Sequence, residues 1–349
     1  MKTFRKVLII VVSIIGILLL TAFIYINVSL PKLPALTNKI IEKALASEQN
    51  RISGKQGYAL NGDTKIWYNS IEPNDSIKGN IILIMGIAND ALAWPDYFIE
   101  PLVDSGYRVI RFDNRGTGMS DWGDNWSKNN AYSLNDMAED AIAILDTLNI
   151  YKVHVIGASL GGMIAQTMSI NNPDRIVTLT SIMSTGNIMD KDLPSMNNST
   201  VTNLVLAHIR YGLIQSEANS IKLHLTARLL LMGDEKYELD INNISNSVLY
   251  NLRNRNGYNP DASKQHIEAT YLSGSRYDDL AKLTTPCLII HGTTDPLIDF
   301  KHGEKCYSII PNAQHLWIDG MGHDIPPIFT DLIIKGILKH IESNSSTDE

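Results

Sequence analysis

The chain has 349 residues, 44% hydrophobic and 19% charged, the make-up of a folded globular protein with ample chain for a sizeable core. Its net charge of −7 comes without a basic stripe interleaved with aromatics, which excludes nucleic acid as an expected partner. Of the two cysteines, Cys287 sits in an apolar run; Cys287 and Cys306 lack metal-ligand spacing, and a bond between them in an exported domain stays open.

The first element is an apolar helix. Residues 1–6 form a basic flank with Lys2, Arg5 and Lys6, and residues 7–26 then carry no charge. Twenty residues at helical rise span about 30 Å, the thickness of a hydrocarbon core. The run is longer than the roughly 7–15 residues of a signal h-region, and Ala22-Phe23-Ile24-Tyr25 makes a poor cleavage site. A membrane anchor over 7–26 is therefore expected, with the basic flank cytoplasmic and the rest extracytoplasmic; secretion after signal cleavage is the alternative.

Pro31 and Pro34 end that helix, and residues 27–56 read as a linker with a short amphipathic stretch at 38–49. From Gly57, two short runs around Asn61-Gly62 predict a hairpin with a tight primed turn. Ile81-Ile82-Leu83-Ile84-Met85 reads as a strand buried on both faces. A helix at 94–105, a strand at 107–112, a helix at 134–148, a strand at 152–156, a helix to about Asn171 and a strand at 176–183 follow. This alternation predicts an α/β fold with a mostly parallel sheet flanked by helices. It breaks over 184–280, where amphipathic stretches at 204–213, 221–232 and 267–272, with Asn-rich joints near Asn242 and Asn251, predict a helical cap. Strands at 286–291 and 313–318 and helices at 300–310 and 326–341 complete the core. The expected organisation is core 57–183, cap 184–280, core 281–342 and a frayed tail 343–349.

The chemistry centres on Gly157-Ala158-Ser159-Leu160-Gly161, a G-x-S-x-G pattern between a predicted strand and a predicted helix. A serine on so sharp a turn is pushed out above the sheet edge, and the free N–H groups of the following helix point at the same place. Serine needs a base and a carboxylate that orients the base. Of nine histidines, those in predicted strands and helices have structural explanations, and His291 reads as a strand-end residue. His323 sits instead in Gly320-Met321-Gly322-His323-Asp324, a loop after the last strand. Asp295 follows the penultimate strand in His291-Gly292-Thr293-Thr294-Asp295-Pro296. Loops at the carboxyl ends of parallel strands converge on one crevice. Asp113, also at a strand end, is an alternative acid; a turn role with Arg115 suits its Asp-x-Arg-Gly context better.

Taken together, Gly157–Gly161, Asp113-Asn114-Arg115-Gly116-Thr117-Gly118-Met119-Ser120, Met85-Gly86 and the Asp295 and His323 loops resemble the α/β-hydrolase family over more than three quarters of the chain. The segment 85–120 with Trp94-Pro95-Asp96, and the later Asp295-Pro296 and Gly320–His323 motifs, are similar to aclacinomycin-methylesterase-like members. Many members read His-Gly where this chain has Met85-Gly86. The resemblance implies a serine hydrolase acting on carboxylic esters, with Ser159 as nucleophile, His323 as base, Asp295 orienting it, and the N–H groups of Ile87 and Leu160 binding the oxyanion. Ala88 is the neighbouring choice for the first donor. The apolar cap and the tether point to a small apolar or lipid ester as substrate. The alternatives on this scaffold are amidase, lyase or perhydrolase chemistry, or a non-catalytic small-molecule receptor. With no His-Glu-x-x-His, phosphate loop or dinucleotide fingerprint, no metal or cofactor is expected.

Overall fold

The computed structural model describes residues 2–48, 52–123 and 125–345. Met1 of the basic flank, residues 49–51 of the expected linker and residues 346–349 of the expected tail lie outside the described residues. The 28-residue helix α1 (Lys2–Ser29) is followed by α2 (Thr37–Leu45). The segment expected as a linker thus holds a helix whose Ile41 and Ala44 are buried against cap residues, because its amphipathic stripe has an apolar partner there.

Strands β1 (Lys55–Asn61) and β2 (Thr64–Ile71) form the hairpin, with Asn61 paired to Thr64. Gly62 at φ 57° is the first of its two turn residues and Asp63 keeps a negative φ, which fits a turn with glycine at its first central position. There follow β3 (Gly79–Ile84), α3 (Asp96–Asp104), β4 (Tyr107–Phe112), α4 (Leu134–Thr147), β5 (Val153–Ala158), α5 (Leu160–Asn171) and β6 (Ile176–Ile182). Next come the cap helices α6 (Asn198–Gly212), α7 (Glu217–Leu231), α8 (Ile241–Asn254) and α9 (Ala262–Ser273), then the short α10 (Tyr277–Leu280). The chain returns to the sheet through β7 (Cys287–Gly292), α11 (Lys301–Ile309), β8 (Gln314–Ile318) and α12 (Pro327–Ser345). Residues 343–345 of the expected tail belong to α12.

The eight strands form one sheet in the order β1-β2-β4-β3-β5-β6-β7-β8, antiparallel at β1/β2 and β2/β4 and parallel elsewhere. Period-two alternation divides each central strand between two cores. Ile82 and Ile84 face the side covered by α4 and α5, whereas Ile81 and Leu83 face Phe98 and Leu102 of α3 and Ile333 and Ile337 of α12. All four strand residues are fully buried, each such side chain worth roughly 1.5–3 kcal/mol of transfer free energy. This two-sided burial explains why β3 is an unbroken apolar run.

The Asn-rich region expected as joints is instead the helix α8. Asp240 caps it by accepting from the Asn243 N–H at 3.0 Å, and Ile241, Val248 and Leu249 bury one face against Ile221 and Leu225 of α7 and against α2. Low helix propensity of asparagine is overridden here by that apolar stripe.

Candidate active site

The turn between β5 and α5 is a single residue, Ser159, held at φ 56° and ψ −121°. A side-chain-bearing residue at positive φ is strained and persists only where the surroundings hold it. Here the Ser159 N–H donates to the Ile182 carbonyl at 2.9 Å, and its carbonyl accepts from Ser184 Oγ at 2.7 Å, so β6 and the residues after it pin both ends. Strand and helix then pass in near contact. A Cβ on Gly157 would stand 2.1 Å from the Gly161 carbonyl oxygen, and one on Gly161 would stand 2.0 Å from that of Ile84. The two glycines of the motif are thus steric requirements of the turn.

Ser159 Oγ lies 3.0 Å from His323 Nε2, and His323 Nδ1 lies 2.7 Å from Asp295 Oδ2. The structure therefore brings together the three side chains singled out in the sequence. With Nδ1–H donating to the carboxylate, Nε2 carries the lone pair that faces the hydroxyl. Asp295 is fixed by more than this imidazole. Its Oδ1 accepts from the N–H groups of Leu297 at 2.8 Å and Ile298 at 2.9 Å, and its Oδ2 lies 3.3 Å from His291 Nε2. Burial pushes the carboxyl up, but the His323 and His291 imidazoles and their hydrogen bonds outweigh it and hold Asp295 well below the usual carboxylate range. His291 was read as a strand-end residue, and nothing in its local pattern marks it as a partner of Asp295.

The loop after β3 passes beside the hydroxyl: a Cβ on Gly86 would stand 3.1 Å from Ser159 Cβ and 3.6 Å from Oγ. The Leu160 N–H, at the first position of α5, has no intrahelical acceptor. The Ala88 N–H donates to His266 Nδ1 at 3.1 Å, while His266 Nε2 lies 2.9 Å from the Arg115 carbonyl. The Ala88 N–H, the neighbouring choice for the first donor, is thus engaged by His266. Fully buried His266 is pushed down to about 4 by desolvation, against the pull of the Arg115 carbonyl. It therefore stays neutral, as accepting from Ala88 requires. Its place in the cap gave no sign of this role.

Asp113 does not reach the serine. Its carboxylate accepts from the N–H groups of Ala91 at 2.9 Å and Met119 at 2.7 Å and pairs with Arg255 of the segment after α8. Nor does it pair with Arg115, whose guanidinium goes to Asp140 with Nε 2.6 Å from Oδ2. The turn role expected for Asp113 holds through its backbone contacts, but its cationic partner comes from 142 residues away. The histidine loop is likewise clamped by the cap. The His323 N–H donates to the Leu231 carbonyl at the end of α7 at 2.8 Å, Asp324 pairs with Arg228, and Tyr237 donates to Asp324 Oδ2 at 2.7 Å. Among the described residues no group of three or more His, Cys, Asp or Glu side chains could hold a metal ion.

The family model for the alpha/beta hydrolase fold matches residues 79–327. The chain belongs to the alpha/beta hydrolase fold family. It is 28% identical to the rhodomycin D methylesterase DnrP of Streptomyces peucetius over 80% of this chain and 96% of that one. It is also 28% identical to a 2-hydroxy-6-oxononadienedioate/2-hydroxy-6-oxononatrienedioate hydrolase of Cupriavidus pinatubonensis over 75% and 86% of the two chains. Among solved structures, an esterase from Exiguobacterium antarcticum superposes with a TM-score of 0.63 at 19% identity, covering 84% of this chain and 100% of that one. A membrane phospholipase A superposes with a TM-score of 0.59 at 16% identity over 98% of this chain and 99% of that one. The alpha/beta hydrolase assignment and these hydrolase relatives make the chain an enzyme of the hydrolase class, with esterase activity as the coarse description, in keeping with the methylesterase-like motifs of the sequence.

Proposed function

We propose that this enzyme is a serine esterase that cleaves carboxylic esters through an acyl-enzyme. Ser159 Oγ attacks the ester carbonyl as His323 Nε2 takes its proton, and Asp295 stabilises the imidazolium that results. The oxyanion is received by the N–H groups of Leu160 and Ile87, each such donor worth roughly 2.7–4 kcal/mol in the transition state. Collapse of the tetrahedral intermediate breaks the ester C–O bond, and His323 returns its proton to the departing alkoxide. Water then attacks the acyl-enzyme with His323 again acting as base, releasing the acid and restoring Ser159.

The observation that carries this reading is the pair of contacts, 3.0 Å and 2.7 Å, that link the strained Ser159 to His323 and His323 to Asp295. The test is turnover of short-chain nitrophenyl esters together with labelling by a fluorophosphonate. Ser159→Ala is expected to abolish both, and labelling that persists in that variant refutes the assignment.

The same proposal includes a membrane tether and an apolar ester substrate. An 18-residue stretch within Phe4–Ser29 has a mean hydropathy of 3.2 and none of that stretch is buried against the protein, so its apolar surface is suited to lipid. An uncleaved anchor leaves the enzyme in the membrane fraction after alkaline carbonate washing; recovery of a soluble chain beginning beyond residue 26 identifies a cleaved signal instead. An ester chain-length series reads the substrate class, with medium and long acyl chains expected to give the higher kcat/KM.

A further inference from the structure

Away from the site, exposed apolar side chains gather along one cap helix. Val205, Ile209 and Leu213 recur every four residues on α6 and at its C-terminal end, and they are 54%, 41% and 76% exposed. Neighbouring Ile214 is 72% exposed. Spacing by four places the three on one face, while Thr200 and Ala207 are buried against the protein on the other. A stripe of this kind on a water-facing helix marks an interaction surface.

What adjoins the stripe identifies its partner. α1 lies against α6. Wherever its burial is described, α1 is exposed from Phe4 to Tyr25; only Ile26, Asn27 and Ser29 become half-buried, and Leu30 is buried. The chain then enters the cap core directly through Leu33, Ile40 and Ile41. The apolar helix therefore leaves the globular part beside α6 and is packed at its exit, so the height of α6 relative to α1 is fixed by the fold. Beside the stripe, Arg210 lies 5.0 Å over the Tyr211 ring, and the stretch that joins α1 to the cap exposes Lys32, Lys39 and Lys43 with a single acid, Glu42, among them, the chemistry of a headgroup layer.

We propose that the Val205–Ile209–Leu213 face of α6 beds into the bilayer that α1 spans, in the leaflet from which α1 emerges, with Arg210 and Tyr211 at headgroup level. The occupant of this face is a phospholipid surface, and the proposal rests on the membrane-anchor reading given above. A helix lying in the interface buries its apolar face about 5–10 Å below the headgroups, the depth that an immersed stripe one side chain high requires. The cap is thereby held against the membrane rather than swinging on a flexible tether.

The full-length protein in phosphatidylcholine–phosphatidylglycerol vesicles tests this. Cys287 and Cys306 are both 1% exposed, so a single added cysteine can be labelled selectively with an environment-sensitive fluorophore. Labels are placed at Leu213→Cys and Ile209→Cys, at Ile14→Cys in the apolar helix, and at Tyr151→Cys, 66% exposed beyond the opposite edge of the sheet from the cap. Nitroxide-bearing lipids are expected to quench the labels at positions 14, 209 and 213 and to leave position 151 unquenched. Quenching at 14 alone overturns the docking of α6 while leaving the anchor intact; absence of quenching at 14 overturns the anchor and the docking with it. A label at 213 that is blue-shifted but unquenched by lipid, and transfers energy between differently labelled copies, identifies a second copy as the occupant and also overturns the proposal. Ester turnover by each labelled variant confirms that it is folded.

Discussion

The sheet and the cap hold the same active site by different physics. On the sheet side, Ser159, Asp295 and His323 follow the carboxyl ends of β5, β7 and β8, and their positions follow from strand register and from two glycines that let β5 and α5 touch. On the cap side the helices are joined to the core by polar links that are buried or half-buried: Asp113 with Arg255, Asn251 with Asp90, Arg228 with Asp324, and His266 with the Ala88 N–H. Every one of these links spans more than 90 residues of sequence. The difference teaches that the turn of Ser159 is set by the strands beside it, whereas the loops that carry His323 and Ala88 are held from afar by a segment that looks like a mere cover.

Substitutions that separate the two halves should separate their effects. The largest expected loss is on the sheet side. His323→Ala is predicted to lower kcat by about 10⁴-fold or more with the fold intact, because among the described residues His323 is the base within hydrogen-bond reach of Ser159 Oγ; steady-state kinetics beside circular dichroism measures it. In the cap, Arg255→Met leaves Asp113 and Asp90 buried without their cation. The three side chains are 3%, 0% and 6% exposed, so the cost is about 3–5 kcal/mol of stability, read by urea unfolding, with activity retained in whatever remains folded. His266→Phe falls between the two classes. By freeing the Ala88 N–H it should loosen the loop that carries Ile87 and lower kcat by about 10–10²-fold with little change in KM, less than the roughly 10²–10³ of a lost oxyanion donor. A kcat equal to wild type would mean that the cap does not hold that loop.

The pH dependence of stability sharpens the same contrast. His154, buried in β5, is pushed down to about 4 chiefly by desolvation, with the nearby His340 adding to the shift. The unfolded chain takes up a proton near 6.5, whereas the folded chain does so only near 4; the stabilisation is therefore complete above 6.5 and is lost as pH falls between those values. The loss is on the order of 3 kcal/mol, and urea unfolding of the wild type and His154→Gln at pH 7 and pH 5 should show a smaller drop in the variant. The smallest effect belongs to the cap surface. Arg253 bridges Glu217 with Nε 2.6 Å from Oε1, yet its side chain is 30% exposed, and Arg253→Ala should cost no more than about 1 kcal/mol in a thermal melt.

What could be read in the sequence follows the same division. β3 was legible because burial on both faces demands a continuous apolar run, and β4 is found over the expected residues 107–112 although it carries Arg108 and Arg111. The turn at Ser159 was legible because its glycines are steric necessities that leave a local pattern. The cap was legible only as helical. α8 was hidden by its asparagines, and the packing of α2 into the cap was hidden because an amphipathic stripe does not name its partner. His266 and His291 were passed over for a related reason: His266 holds the Ala88 N–H and His291 lies beside Asp295, through contacts that have no sequence signature. The pairing of Asp113 with Arg255 rather than Arg115 is of the same kind.

The central claim is that the acyl group is carried by Ser159. Its most direct test is to mix the full-length enzyme with a nitrophenyl ester, quench in acid during turnover, digest, and locate the added acyl mass. The account predicts that the mass appears on the peptide holding Ser159, accumulates further in Asp295→Asn, and is absent from Ser159→Ala. Acylation of a different residue, or ester turnover that continues undiminished in Ser159→Ala, would contradict it.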